Sequence, residues 1–286
     1  MIAFLPAFDP PGSLVSAFSQ APAWMKAGFF FMCWVGVWIP IAIPIARAVE
    51  WKFPQPLEIR QKLPLVASLY LLAPIVLYGF SWIERRPFSI YGLDWNWNLG
   101  RSLLWGLGIG VVGIIVLFGI QTIAGWIHWQ SENWGKLRSA IAPTLLLGLW
   151  IGGVEELVFR GVLFGQLSKE FDFWSAAIAS SLIFAVLHLI WEGTENIPQL
   201  PGLSLMGVVL CLAFSVNHSS IGLAWGLHAG WIWLMASLDT ATLVSYPSSA
   251  PDWLVGLGEK PLAGLLGLLF LLGTGLLLIP MSPLLN

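Results

Sequence analysis

Charge interrupts this chain so rarely that eight stretches read as membrane spans. A helix of about 20 mostly apolar residues crosses a hydrocarbon core of roughly 30 Å, and there each backbone N–H and C=O has to be paired within the protein. The stretches lie near 24–48, 63–83, 102–127, 141–164, 173–190, 200–216, 221–238 and 262–280. They predict an all-α, polytopic membrane bundle of about eight transmembrane helices, and with it a multi-pass membrane location. Composition points the same way. Of 286 residues, 57% are hydrophobic and only 10% charged, whereas soluble domains carry roughly 25% charged residues. The eighteen tryptophans suit the level of the lipid headgroups.

The same numbers narrow the function classes. A net charge of −2 with no basic run offers no groove for a phosphate backbone, so no nucleic-acid partner is expected. Cys33 and Cys211 sit in apolar runs without ligand spacing and read as packing residues. Residues 1–23 lack a positive n-region and carry Asp9, Pro10 and Pro11. A cleaved signal peptide is not expected there.

Glycines recur four residues apart: Gly106 and Gly110, Gly148 and Gly152, Gly161 and Gly165, and the series Gly222, Gly226, Gly230. Each set lies on one helix face, where a neighbouring backbone can approach closely. The fourth and seventh spans, both marked in this way, also hold the rare polar groups.

In the stretch "IGGVEELVFRGVLFGQL", Glu155, Glu156 and Arg160 are the only formal charges between Arg138 and Lys169. An ionisable group in a span costs about 2.5–3.5 kcal/mol on insertion scales, so such groups face the protein interior or a water-filled cavity. Glu156 and Arg160, four apart with the acid first, stack on one face and neutralise each other. Glu155 points about 100° around the helix from Glu156 and has no partner in its own turn. Two histidines add to this set: His188 in "LIFAVLHLIW" and His228 in "GLAWGLHAGWIW". Carboxylate and imidazole groups from different helices are what activation of a water molecule needs, directly or through a metal. His128 and His218 fall at span ends and read as interfacial. Glu192, one turn after His188, is read as a solvated interfacial group in preference to a partner of the imidazole.

These residues carry a resemblance. "EELVFR" resembles the EExxxR motif of the CPBP family of intramembrane proteases, the CAAX-protease-like or Abi-like family. "FAVLH", Phe184 to His188, resembles its FxxxH motif, and His228 the histidine of its third motif. The likeness covers about 143–238 and implies a division into 1–140 with the first three spans, a catalytic core at 141–240, and 241–286 with a loop and the last span. It implies an endopeptidase in which Glu155 activates water with His188 helping to hold it, His228 polarises the scissile carbonyl or shares the water or metal site, and Glu156 and Arg160 support them. The implied partners are the bilayer and a peptide or protein substrate, lipidated or not. The family has been described both as metalloproteases and as glutamate-dependent proteases. The sequence therefore leaves open a zinc ion on Glu155, His188 and His228 and a mechanism without metal.

One departure stands out. Prenyl-processing relatives carry an asparagine four residues after the last histidine, and here that position is Ile232. Isoleucine can neither donate to an oxyanion nor ligate a metal, so an inactive family member acting as a scaffold, chaperone or immunity factor is the alternative expectation. A second tension is geometric. Straight antiparallel spans with the ends given above would leave Glu155 and His188 roughly 13 Å apart in depth at 1.5 Å per residue.

Overall fold

The computed structural model describes residues 18, 20–52 and 57–280; most of the stretch considered for a leader lies outside them. Eight helices of 14 residues or more form the bundle: α1 Ala23–Ala48, α2 Ile59–Glu84, α3 Trp97–Ile123, α4 Trp134–Glu156, α5 Phe173–Glu192, α6 Leu200–Val216, α7 Gly222–Thr240 and α8 Leu265–Leu278. Beyond Glu156, α4 continues as a π-helical segment, Leu157–Phe164, and one last turn, Gly165–Leu167.

The protein is a multi-pass membrane protein. Among the described residues six helices are long and apolar enough to cross a bilayer, the fourth of them reaching from Ser131 to Leu167 over 37 residues. Two of the eight expected spans fall short of that standard. The 19-residue α7 carries three tryptophans, three glycines and His228, which lower its hydropathy. The 14-residue α8 rises only about 21 Å. The third span also shifts, to Trp97–Ile123, and the chain after Ile123 turns into a two-residue strand, His128–Trp129, paired antiparallel with Val244–Ser245. No helical period announces so short a ladder, and the sequence reading missed it.

Close approach of α7 to α3 and α4 organises the core. A Cβ on Gly226 would overlap the Leu103 carbonyl oxygen, and one on Gly106 the Leu223 carbonyl oxygen. On the other side, a Cβ on Gly148 would lie 2.8 Å from the Ala229 carbonyl oxygen. The glycine series therefore works as the spacing predicts, letting backbones meet where side chains would hold them apart. Met32, Leu71, Ile75, Leu146 and Leu276 are exposed and form the apolar outer surface that a bilayer covers. Cys33 and Cys211 are both free.

Candidate active site

Each end of the α4–α5 hairpin is set locally. Asp172 caps α5: its Oδ1 accepts the Trp174 and Ser175 backbone N–H groups at 3.0 and 3.2 Å, and its Oδ2 accepts the Ser175 hydroxyl at 2.5 Å. The Ser175 hydroxyl first, then the backbone donors, hold the Asp172 carboxyl below its ordinary range. Because α4 runs on to Leu167, Glu155 lies about 18 Å before the hairpin turn and His188 about 22 Å after it, at 1.5 Å per residue. The depth mismatch thus disappears. It came from taking 141–164 as the fourth span, when α4 begins at Trp134 and extends past Phe164.

Glu155, Glu156, Arg160 and His228 meet in the interior. Arg160 Nη1 donates to Glu156 Oε1 at 3.0 Å, Arg160 Nη2 donates to the Gly207 carbonyl at 3.1 Å, and the guanidinium lies 4.7 Å from the centre of the Phe184 ring. Gly207 sits on α6, so one arginine ties α4 to both α5 and α6. The same Glu156 oxygen accepts His228 Nδ1–H at 2.8 Å. That bond leaves His228 Nε2 on the far side of the ring, 3.7 Å from Glu155 Oε2. Glu155 Oε2 is buried and has no hydrogen-bond partner, whereas its Oε1 accepts the Tyr70 hydroxyl.

Tyr70 was not among the sequence candidates. It belongs to α2, outside every motif, and the sequence held one usable signal: a phenol buried in a span needs a partner for its hydroxyl. That signal does not separate Tyr70, which is buried, from Tyr78 on the same helix, which is exposed.

His188 is half-buried, and its Nδ1 lies 2.8 Å from the Phe184 carbonyl; donation there leaves Nε2 with the lone pair. The Phe184 ring is fully buried and packs against both imidazoles, with ring centres 4.5 Å from His188 and 6.1 Å from His228. Glu192 does not orient His188. Its Oε2 accepts Asn196 Nδ2–H at 2.6 Å, and its Oε1 faces Lys62 at 4.0 Å. The interfacial reading of Glu192 fits this placement. His128 is exposed on its strand, and His218 follows α6 in a left-handed turn with φ 54°; neither reaches the cluster.

Glu155, His188 and His228 line one cavity of about 680 Å³, together with Tyr70, Trp231 and Ile232. Its walls are mostly apolar, and Lys62 and Glu192 mark a polar end. As a zinc site the arrangement does not fit. A catalytic zinc takes three protein ligands; His188 and His228 each keep Nε2 free, but no third group among the described residues joins them in one cluster. Among the described residues no three His, Cys, Asp or Glu side chains form a group that could hold a metal ion. No step below is routed through a metal.

Residues 137–234 match the family model described as type II CAAX prenyl endopeptidase Rce1-like. Over 102 residues the chain is 30% identical to a protein of Bacillus subtilis named "Putative membrane peptidase YdiL", a match covering 32% of this chain and 40% of that one. Over 145 residues it is 23% identical to the phosphatidylglycerol–prolipoprotein diacylglyceryl transferase of Thermosynechococcus vestitus, covering 49% of this chain and 50% of that one. The chain thus spans half or less of the length of these curated relatives. No solved structure matches it. The segment that carries Glu155, Glu156, Arg160, His188 and His228 is the part of this chain that matches the Rce1-like CAAX prenyl endopeptidase family model.

Proposed function

We propose that the protein is an intramembrane endopeptidase whose catalytic core is the stretch 141–240. The observation that carries this reading is the pairing of an unpartnered carboxylate oxygen, Glu155 Oε2, with His228 Nε2 at 3.7 Å on the wall of an apolar cavity. In a medium where a buried unpaired carboxylate is costly, such an oxygen is a base held ready for a proton.

In the proposed reaction Glu155 takes a proton from water as the water oxygen bonds to the scissile carbonyl carbon. When the C–N bond breaks, Glu155 returns that proton to the departing amine. Tyr70 holds Oε1 and so aims Oε2. His188 and His228, each with Nε2 free on the same cavity wall, help hold the water. Glu156 keeps His228 in the Nδ1–H form, the role a carboxylate plays behind a catalytic imidazole. Arg160 neutralises Glu156. The mostly apolar cavity favours a peptide or protein segment of low polarity, lipidated or not, delivered from the bilayer.

The test is hydrolysis by the purified protein of a panel of fluorogenic lipidated and unlipidated peptides. Wild type cleaves at least one; Glu155→Gln abolishes that cleavage, and His188→Ala lowers it at least tenfold. A Glu155→Gln protein that cleaves at the wild-type rate sinks the proposal. One observation favours a second reading, an inactive scaffold: Ile232 lines the cavity one helical turn after His228, where prenyl-processing relatives place an asparagine.

A further inference from the structure

Cleavage of an amide needs a donor for the negative charge that develops on the carbonyl oxygen, and loss of such a donor costs about 10²–10³ in rate. In a mostly apolar cavity that donor comes from the wall. α7 presents His228, Trp231, Ile232 and Met235 to the cavity, residues at positions i, i+3, i+4 and i+7 of one helix face. Ile232 and Met235 have no N–H to offer.

Of the other side-chain donors on the cavity wall, Lys62 and Trp191 are only partly buried, and those of Trp34, Trp38, Tyr70, His228 and Gln199 are engaged. Trp34 Nε1–H bonds the Leu69 carbonyl at 2.8 Å, and Trp38 Nε1–H the Ser68 hydroxyl at 3.0 Å. The Tyr70 hydroxyl is given to Glu155, His228 Nδ1–H to Glu156, and the Gln199 amide to Asn196. Trp231 differs. It is 5% exposed, and its Nε1–H has no hydrogen-bond partner. Among the described residues it is the buried nitrogen of the cavity wall left in that state. A buried donor without a partner is costly, and packing of the ring edge-to-face against Phe270, 6.0 Å between centres, does not require it.

We infer that Trp231 is a catalytic residue, its indole N–H donating to the oxyanion of the tetrahedral intermediate and taking the place that Ile232 leaves empty. The inference rests on the endopeptidase reading. As water adds, the carbonyl π pair moves onto oxygen and is received by the Trp231 N–H; on collapse the pair re-forms the carbonyl and the C–N bond breaks. Trp231 keeps its proton throughout. The amide oxygen of the intact substrate is a weaker acceptor, so the bond strengthens in the transition state. The scaffold reading loses its motive, because the missing asparagine has a neighbour that does its work.

The experiment uses the full-length protein in proteoliposomes and a peptide that the wild type cleaves. Trp231→Phe should lower kcat about 10²-fold and leave KM within about threefold, the pattern of a bond made only in the transition state. A peptidyl phosphonate, which mimics the tetrahedral centre, should bind more weakly by the same factor, while the parent peptide binds Glu155→Gln and Glu155→Gln/Trp231→Phe alike. Should the phenylalanine variant fold poorly, benzothienylalanine at position 231 keeps the ring shape with sulfur in place of N–H and is expected to show the same loss. Ile232→Asn added to Trp231→Phe should restore at least tenfold. Full kcat in both position-231 variants, with Glu155→Gln inactive, overturns the role of Trp231 and leaves the endopeptidase reading standing. An inert wild type, or an active Glu155→Gln protein, overturns that reading and this inference with it.

Discussion

The His228 ring donates from Nδ1 to Glu156 Oε1 over 2.8 Å, although the two residues are 72 positions apart in the chain. That oxygen also accepts from Arg160, so one carboxylate both fixes the imidazole and balances a buried guanidinium.

Removal of Glu156 alone therefore leaves a charge without a counterion. Glu156→Leu is expected to lower stability by about 3–5 kcal/mol, while Glu156→Leu combined with Arg160→Met returns close to the wild-type value, as apolar replacements of a buried pair do. The thermal midpoint in detergent measures this. Turnover in the double variant should stay down by roughly 10–100-fold, because His228 has lost the group that orients it.

Glu155→Gln should behave in the opposite way. Glu155 Oε2 is buried without a partner, so removing its charge relieves a desolvation cost. The expected outcome is an inactive protein with a thermal midpoint equal to or above that of the wild type. A clear fall in midpoint would show that the carboxylate is structural.

Tyr70 lies outside the matched segment yet donates to Glu155. Tyr70→Phe keeps the ring against Trp150, 6.0 Å between centres, and removes only the hydroxyl. Stability should fall by about 1 kcal/mol, the typical net value of a hydrogen bond. We expect kcat to fall about tenfold as Glu155 loses its aim, read by steady-state kinetics on a cleaved peptide.

Gly226→Ala places a methyl group on the Leu103 carbonyl oxygen, whereas a Cβ at Gly119 on α3 meets nothing within 4 Å. Overpacking of this kind costs about 1–3 kcal/mol. Gly119→Ala should be neutral or gain up to about 1 kcal/mol from helix propensity. Side-by-side thermal unfolding of the two variants checks whether α3 and α7 meet backbone to backbone.

Tyr246, in the loop after α7, has its phenol pushed up to about 12, by burial first and then by Glu259. A group whose folded pKa is raised stabilises fully below its unfolded value and loses that contribution as pH rises through the folded one. The contribution should fade between about pH 10, the unfolded value, and about 12. Phenolate absorbance, compared with that of Tyr246→Phe, should show one tyrosine ionising late in the folded protein.

Much of this architecture was legible in the sequence because its causes are local. Apolar runs long enough to pair their own backbones in lipid dictated the helices, glycine spacing dictated where α7 meets α3 and α4, and the cost of charge in hydrocarbon pointed to Glu155, Glu156 and Arg160. The Glu156–Arg160 contact needed only the helical repeat. Tertiary structure decided the rest. The continuation of α4 to Leu167 decided that Glu155 and His188 face one cavity, and the path of α2 decided that Tyr70 meets Glu155 while Tyr78 faces outward. Folding also left Trp231 with an unmatched N–H and kept the histidines and carboxylates from forming a three-ligand group. The physical reason is common to all of these. In a soluble helix the polar and apolar faces differ, so the inward side is written in the pattern, whereas a membrane helix is apolar all round. Only packing against its neighbours then selects the face that looks into the protein.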